Sequence, residues 1–136
     1  MVLRSKKYII MGDPVALARA RHGQGRVYDS QKHIKLAWGI DLARLHDDEP
    51  YFDGPIQLDA VFYLPIPSSR SQTKQQQTRN SWHISKPDAS NLIKFVEDVA
   101  CKICYHDDSI ICRLIIEKRY DDGHGTRTEL TLTQLH

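Results

Sequence analysis

Cysteine is scarce in this chain, three among 136 residues, and an odd count does not build a secreted disulfide framework. Long apolar runs are absent. No stretch approaches the ~18 residues of a membrane span, and Met1-Val2-Leu3-Arg4 does not have a signal-peptide layout. Large net charge is absent too, with 19 Lys+Arg against 17 Asp+Glu. With 40% hydrophobic residues, that balance argues against a disordered chain. A chain of about 150 residues buries roughly 70% of its unfolded surface, enough for one core without staples. The expectation is a soluble, cytoplasmic protein with no membrane segment, folded as a single domain over residues 1–136.

The formal charge of +2 conceals a division along the chain. Residues 1–40 carry eight bases and two acids, net +6, and residues 41–59 carry six acids and one base, net −5. Residues 60–87 hold four bases and no acid, net +4, while the remainder has nine acids and six bases, net −3. Basic stretches poor in acid suit a polyanion, which is bound mainly through Lys and Arg on phosphates. The candidates are Arg19, Arg21, Arg26 and Lys32 in the first stretch, and Arg70, Lys74, Arg79 and Lys86 in the second. A solvated charged surface would have the same composition. His22, Trp38, Tyr63 and Trp82 are too scattered to form an evident stacking platform.

Local patterning describes the order β, α, β, α, β, β. Lys6–Met11 reads as a strand, followed by a loop punctuated by Gly12-Asp13-Pro14 and Gly23-Gln24-Gly25. A helix capped by Asp29 or Ser30 runs to about His46, with Ile34, Ala37, Trp38, Ile40, Leu42 and Leu45 as its apolar side. Residues 56–64 alternate apolar and polar, the period of a half-buried strand. Ser68–Ser81 has no core residue and reads as an exposed basic loop, about residues 68–82 in all. Pro87 precedes a second helix, from Asp88 to about Ile103, with Leu92, Phe95, Val96, Val99, Ala100 and Ile103 as its core stripe. Ser109–Lys118 reads as a buried strand, and Thr126–Leu135 closes the chain as its hairpin partner. The fold class is α/β, a mixed α+β domain with one mixed sheet and two main helices.

Three acids stand out by position: Asp88 at the helix start, and Asp107-Asp108 in the turn after it. Carboxylates suit Mg²⁺, which prefers oxygen ligands and is held by one or two protein carboxylates plus substrate phosphate. Lys94 stands on the polar side of the same helix, where an ammonium can offset phosphate charge. A helix cap at Asp88 and plain turn residues at Asp107-Asp108 need no metal. A helix of about 16 residues is ~24 Å long, so its two ends cannot touch. For Asp88 and Asp108 to meet, the turn must fold back or a second subunit must contribute. Cys101-Lys102-Ile103-Cys104, with Cys112 and His106 nearby, lacks a second knuckle for zinc and reads mainly as buried thiols.

Lys86-Pro87-Asp88-Ala89-Ser90-Asn91-Leu92-Ile93-Lys94, then Asp98 and His106-Asp107-Asp108-Ser109, resembles the RusA family of Holliday-junction resolvases. In that family the helix opens with K-P-D-x-D-N-L-x-K and the next strand follows a D-D-[SA] turn. The match is specific over about residues 86–118. The resemblance implies a homodimeric, Mg²⁺-dependent endonuclease that nicks four-way DNA junctions symmetrically. It further implies Asp88, Lys94 and Asp108 as catalytic residues, Asp107 as a neighbour in metal coordination, and Asn91 in support. Ser90 departs from the pattern, since the second helix aspartate is replaced by a neutral, weaker ligand. Asp107 is one way to restore the charge. A junction-binding protein that does not cut, and a zinc-stabilised interaction domain on the three cysteines, are the alternatives.

Overall fold

The computed structural model describes residues 3–18, 21–23 and 26–136, with side chains for 3–18 and 29–136. The chain runs β1 (Ser5–Met11), β2 (Arg21–Gly23), β3 (Arg26–Tyr28), α1 (Lys32–His46), β4 (Ile56–Leu64), α2 (Gln72–Thr78), α3 (Ala89–Ala100), β5 (Ile111–Tyr120) and β6 (Arg127–Gln134), with a single 3₁₀ turn at Asp108–Ile110. Four strands form one mixed sheet in the order β1-β6-β4-β5. β4 pairs antiparallel with β6 and parallel with β5, and β1 pairs antiparallel with β6. β2 and β3 pair separately as a small two-stranded ribbon where the sequence suggested loop.

β4 forms as its alternation dictates. Ile56, Leu58, Ala60, Phe62 and Leu64 are buried, and the residues between them are only partly covered. β6 contributes Leu130 and Leu132 to the same side, and β1 contributes Tyr8 and Ile10. α1 and α3 close this face with Trp38, Leu42, Leu92, Phe95, Val96 and Val99. Trp38 meets Phe95 edge-on, with centroids 5.2 Å apart. The Tyr8 hydroxyl lies 2.7 Å from His46 Nδ1, which gives two buried polar groups partners.

Several sequence expectations are corrected. β6 is not the hairpin partner of β5, because it lies between β1 and β4. The six residues between them are long enough to step over β4, about 10 Å in a sheet with strands ~4.8 Å apart. β5 is an edge strand rather than a buried one, with Leu114 and Ile115 each nearly half exposed. α1 begins at Lys32, since Asp29 turns to accept a hydrogen bond from the Gln31 amide. Trp38, Leu42 and His46 are its buried residues, so Ile34 and Ile40 of the expected apolar side face outward. The polar segment 68–82 contains a short helix, α2, with no buried residue, started by Ser71 Oγ accepting from the Lys74 amide. α3 stops at Ala100, ahead of a turn that seats buried Cys104 and Tyr105.

No described helix is long and apolar enough to cross a membrane.

Candidate nuclease site

Asp88 is the N-cap residue of α3, in extended backbone conformation, but its side chain makes no capping bond. It turns instead to Lys86, whose Nζ donates to Oδ1 at 2.8 Å. That hydrogen bond, with Lys118 nearby, holds the Asp88 carboxyl below the usual range. The peptide before Pro87 is cis. Lys118 of β5 clamps this loop, its ammonium donating to the carbonyls of both Ser85 and Pro87 at 2.6 Å. The Ser81–His83 backbone pairs with β5 as well: Tyr120 N–H donates to Ser81 O, and His83 N–H to Lys118 O. His83 is buried against Tyr120, centroids 4.6 Å apart, and its Nδ1 has no partner. Burial and the nearby Lys118 push its pKa down.

Asp108 lies elsewhere. It opens the 3₁₀ turn before β5 and lines a cleft of about 400 Å³ with Lys94, Glu97 and Asp98 of α3, and Lys35 and Asp29 from the α1 side. Two of these acids are already engaged. Lys35 Nζ bridges Asp29 at 2.6 Å and Asp98 at 2.9 Å. Glu97 and Asp108 are left beside Lys94. Burial raises the Glu97 pKa, the Asp108 charge adds to the rise, and Lys94 opposes it. Asp107 bends into its own turn, accepting from Ser109 Oγ at 2.5 Å, which lowers its pKa.

The structure therefore brings Lys94 to Asp108 but not to Asp88. Glu97 lies nine residues beyond Asp88, about 13 Å along α3. β5 also sets the two groups apart. Its start adjoins Asp108, whereas Lys118, about 23 Å along the strand, touches the loop before Asp88. Ser90 is exposed on the first turn of α3, and Asn91 is half-buried, its carbonyl accepting from the Leu17 amide. Among the described residues no three His, Cys, Asp or Glu side chains are grouped to hold an ion. The donors at both ends are oxygens, the chemistry Mg²⁺ takes, but their number in one chain is short. Glu97 is the site residue that sequence reading passed over. Its position three after Lys94 and seven after Ser90, on one helical stripe, was the available signal.

Of the candidate DNA contacts, Arg19 lies outside the described residues, and for Arg21 and Arg26 only the backbone in β2 and β3 is described. Lys32, Lys74, Arg79 and Lys86 are exposed. Arg70 is half-buried, donating to Thr78 Oγ1 at 3.0 Å and lying 5.2 Å from the Tyr120 ring centroid, so it fastens α2 to the sheet. Cys101, Cys104 and Cys112 are free thiols, respectively half-buried, buried and exposed.

The cleft thus presents a lysine with two carboxylates, on a helix opened by an aspartate that Lys86 holds. The family model for endodeoxyribonuclease RusA matches residues 12–133, and the chain belongs to that family. Among curated proteins it is similar to the uncharacterized protein YqaN of Bacillus subtilis (strain 168), 30% identical over 125 residues, covering 85% of this chain and 88% of that one.

Proposed function

We propose that the whole chain, residues 1–136, is one RusA-like endonuclease domain that works as a homodimer, cutting both strands of a four-way DNA junction with Mg²⁺. The observation that carries this reading is Lys94 standing beside Asp108 and Glu97 in one cleft, within the region matched by the family. Asp88 and Asp108 hold the ion, with Ser90 and Asp107 as neighbouring oxygen ligands. When bound, the ion supplies a nucleophilic hydroxide and charge stabilisation at the phosphorus. Lys94 offsets charge on the leaving oxygen, and Asn91 supports the helix turn between them. Because Asp88 opens α3 while Asp108 stands beside Lys94, Glu97 and Asp98 farther along it, a two-fold dimer would complete each site by placing Asp88 of one protomer against Asp108 of its partner. Lys32, Lys74, Arg79 and Lys86, with Arg19, Arg21 and Arg26, would track the DNA backbone, while Arg70 holds α2 in place beneath them. The shortage of grouped carboxylates among the described residues favours a second reading, a junction binder that does not cut.

A synthetic four-way junction with Mg²⁺ separates the two. Cleavage by the wild type that is lost in both Asp88→Asn and Asp108→Asn is expected. Cleavage surviving either substitution would remove that residue from the catalytic assignment, and tight binding with no wild-type cleavage would establish the second reading.

A further inference from the structure

Trp82 is 60% exposed, and Ile84, two residues on, is 90% exposed. Neither is loosely held at its base. The backbone of Ser81–His83 is bonded to the edge of β5, and His83, between the two, is buried against Tyr120. The Arg119 guanidinium lies 4.0 Å from the Trp82 ring centroid, fixed in turn by Glu117 Oε1 at 2.9 Å and the Asn80 carbonyl at 2.9 Å. One face of the indole is thus backed by a cation, and the exposed remainder is open to a planar group. Lys86 follows in the next bend, 85% exposed and paired with Asp88, and no acid occurs from residue 60 to residue 87. Protein-binding patches are depleted of charge at their centres, whereas an aromatic ring among cations on a rigid edge suits nucleic acid. Trp82 is six residues from Asp88, at most about 20 Å of extended chain, or some six nucleotides of one strand.

We infer that Trp82, backed by Arg119 and flanked by Ile84, is a stacking platform for an unpaired nucleobase next to the scissile strand. It would therefore supply preference for branched over continuous DNA. The inference deepens the nuclease reading and rests on it for the position of the scissile strand. Arg119, held by Glu117, backs the ring, while the indole accepts a base that a continuous duplex keeps stacked. The sequence pattern alone did not reveal this, because Arg119 is distant from Trp82 along the chain.

The test is made in the Asp88→Asn background, which removes cleavage, by titrating a synthetic four-way junction, a single strand and a continuous duplex of equal length. Trp82→Ala is expected to weaken junction and single-strand binding about tenfold while duplex affinity holds, and Trp82→Phe to retain most of it. Fluorescence of Trp82, with buried Trp38 as the unchanging reference, is expected to be quenched by junction and single strand and not by duplex. Equal losses on junction and duplex, or no loss with Ala, would overturn the platform. So would a change in the oligomeric state of free Trp82→Ala protein, which would assign the patch to a chain–chain contact. Quenching by junction and single strand in wild-type protein that cuts no four-way junction with Mg²⁺ would sink the nuclease reading and keep the platform.

Discussion

Two inactive variants should restore activity to each other. Asp88 opens α3, whereas Asp108 shares a cleft with Lys94, Glu97 and Asp98 farther along it, and the Lys118 clamp and the start of β5 stand at opposite ends of one strand. On the proposed reading, a site using both draws them from two chains. In a mixed dimer of Asp88→Asn with Asp108→Asn, one site carries both substitutions and the other carries neither. With free subunit exchange at equal concentrations, about half the dimers are mixed, each with one intact site of two, so about a quarter of the wild-type nicking rate returns. Each variant alone should fall by about a hundredfold or more, the usual scale for removing a group that stabilises transition-state charge. The product also changes, from paired cuts to single nicks. The assay is cleavage of a four-way junction, with nicked and fully resolved products separated, by each variant alone, by the wild type, and by the two variants mixed under conditions that exchange subunits. A mixture no more active than its components, with exchange verified by tagged subunits, would refute the shared-site reasoning and require both carboxylates to act within one chain.

Three further outcomes are expected. Lys118→Met should strip the donor from the Ser85 and Pro87 carbonyls, costing about 2 kcal/mol of stability and lowering cleavage more than junction binding, while Lys118→Arg keeps part of both; equal losses in binding and cleavage would contradict a positioning role. His46 and His83 both have pKa values pushed below the ordinary value, first by burial, so the unfolded chain takes up protons before the folded one does. The stability they confer is therefore complete above about pH 6.5 and declines as pH falls through that value toward their folded pKa values, visible as a lower urea midpoint at pH 5.5 than at pH 7.5. Junction affinity should fall about 10³-fold or more between 50 and 200 mM salt if six to ten phosphates are contacted, and Lys74→Ala with Arg79→Ala should reduce the log–log slope by about two. An affinity indifferent to salt would remove the basic segments from the DNA surface.

Elements whose burial follows from their own periodicity are legible in the residues themselves. β4 forms over the residues its alternation marks, and Leu92, Phe95, Val96, Val99 and Ala100 of the expected α3 stripe are buried, joined by Ile93, while Ile103 lies past the helix end. What is not legible depends on partners distant in sequence. The turn at residues 121–126 looks like a hairpin turn, yet β6 inserts between β1 and β4, a choice made by the competing edges of the sheet rather than by the turn. α2 has no apolar face, so periodicity is silent there, and only Ser71 marks its start. Asp88, Lys94 and Asp108 are marked in the sequence by the resemblance of their motif to the family. Their distribution over two places, and the entry of Glu97 beside Lys94, are not, because helix length and strand direction together decide which ends meet. Arg70 illustrates the converse: its charge suggests phosphate, while its neighbours Thr78 and Tyr120 occupy it internally.

β5 acts as a gauge. It begins beside the acidic turn and ends with the lysine that clamps the loop before Asp88, and its parallel pairing with β4 absorbs one irregularity, between Ile56 and Gln57, before running in step to Tyr120. A deletion or insertion between Ile111 and Lys118 would shift the two halves of the site against each other by about 3.3 Å and turn Lys118 to the opposite face of the sheet. The same change in the turn at residues 121–126 would leave both halves where they are. Length variation among working versions of this protein should therefore collect after Tyr120 and be excluded from the stretch before it.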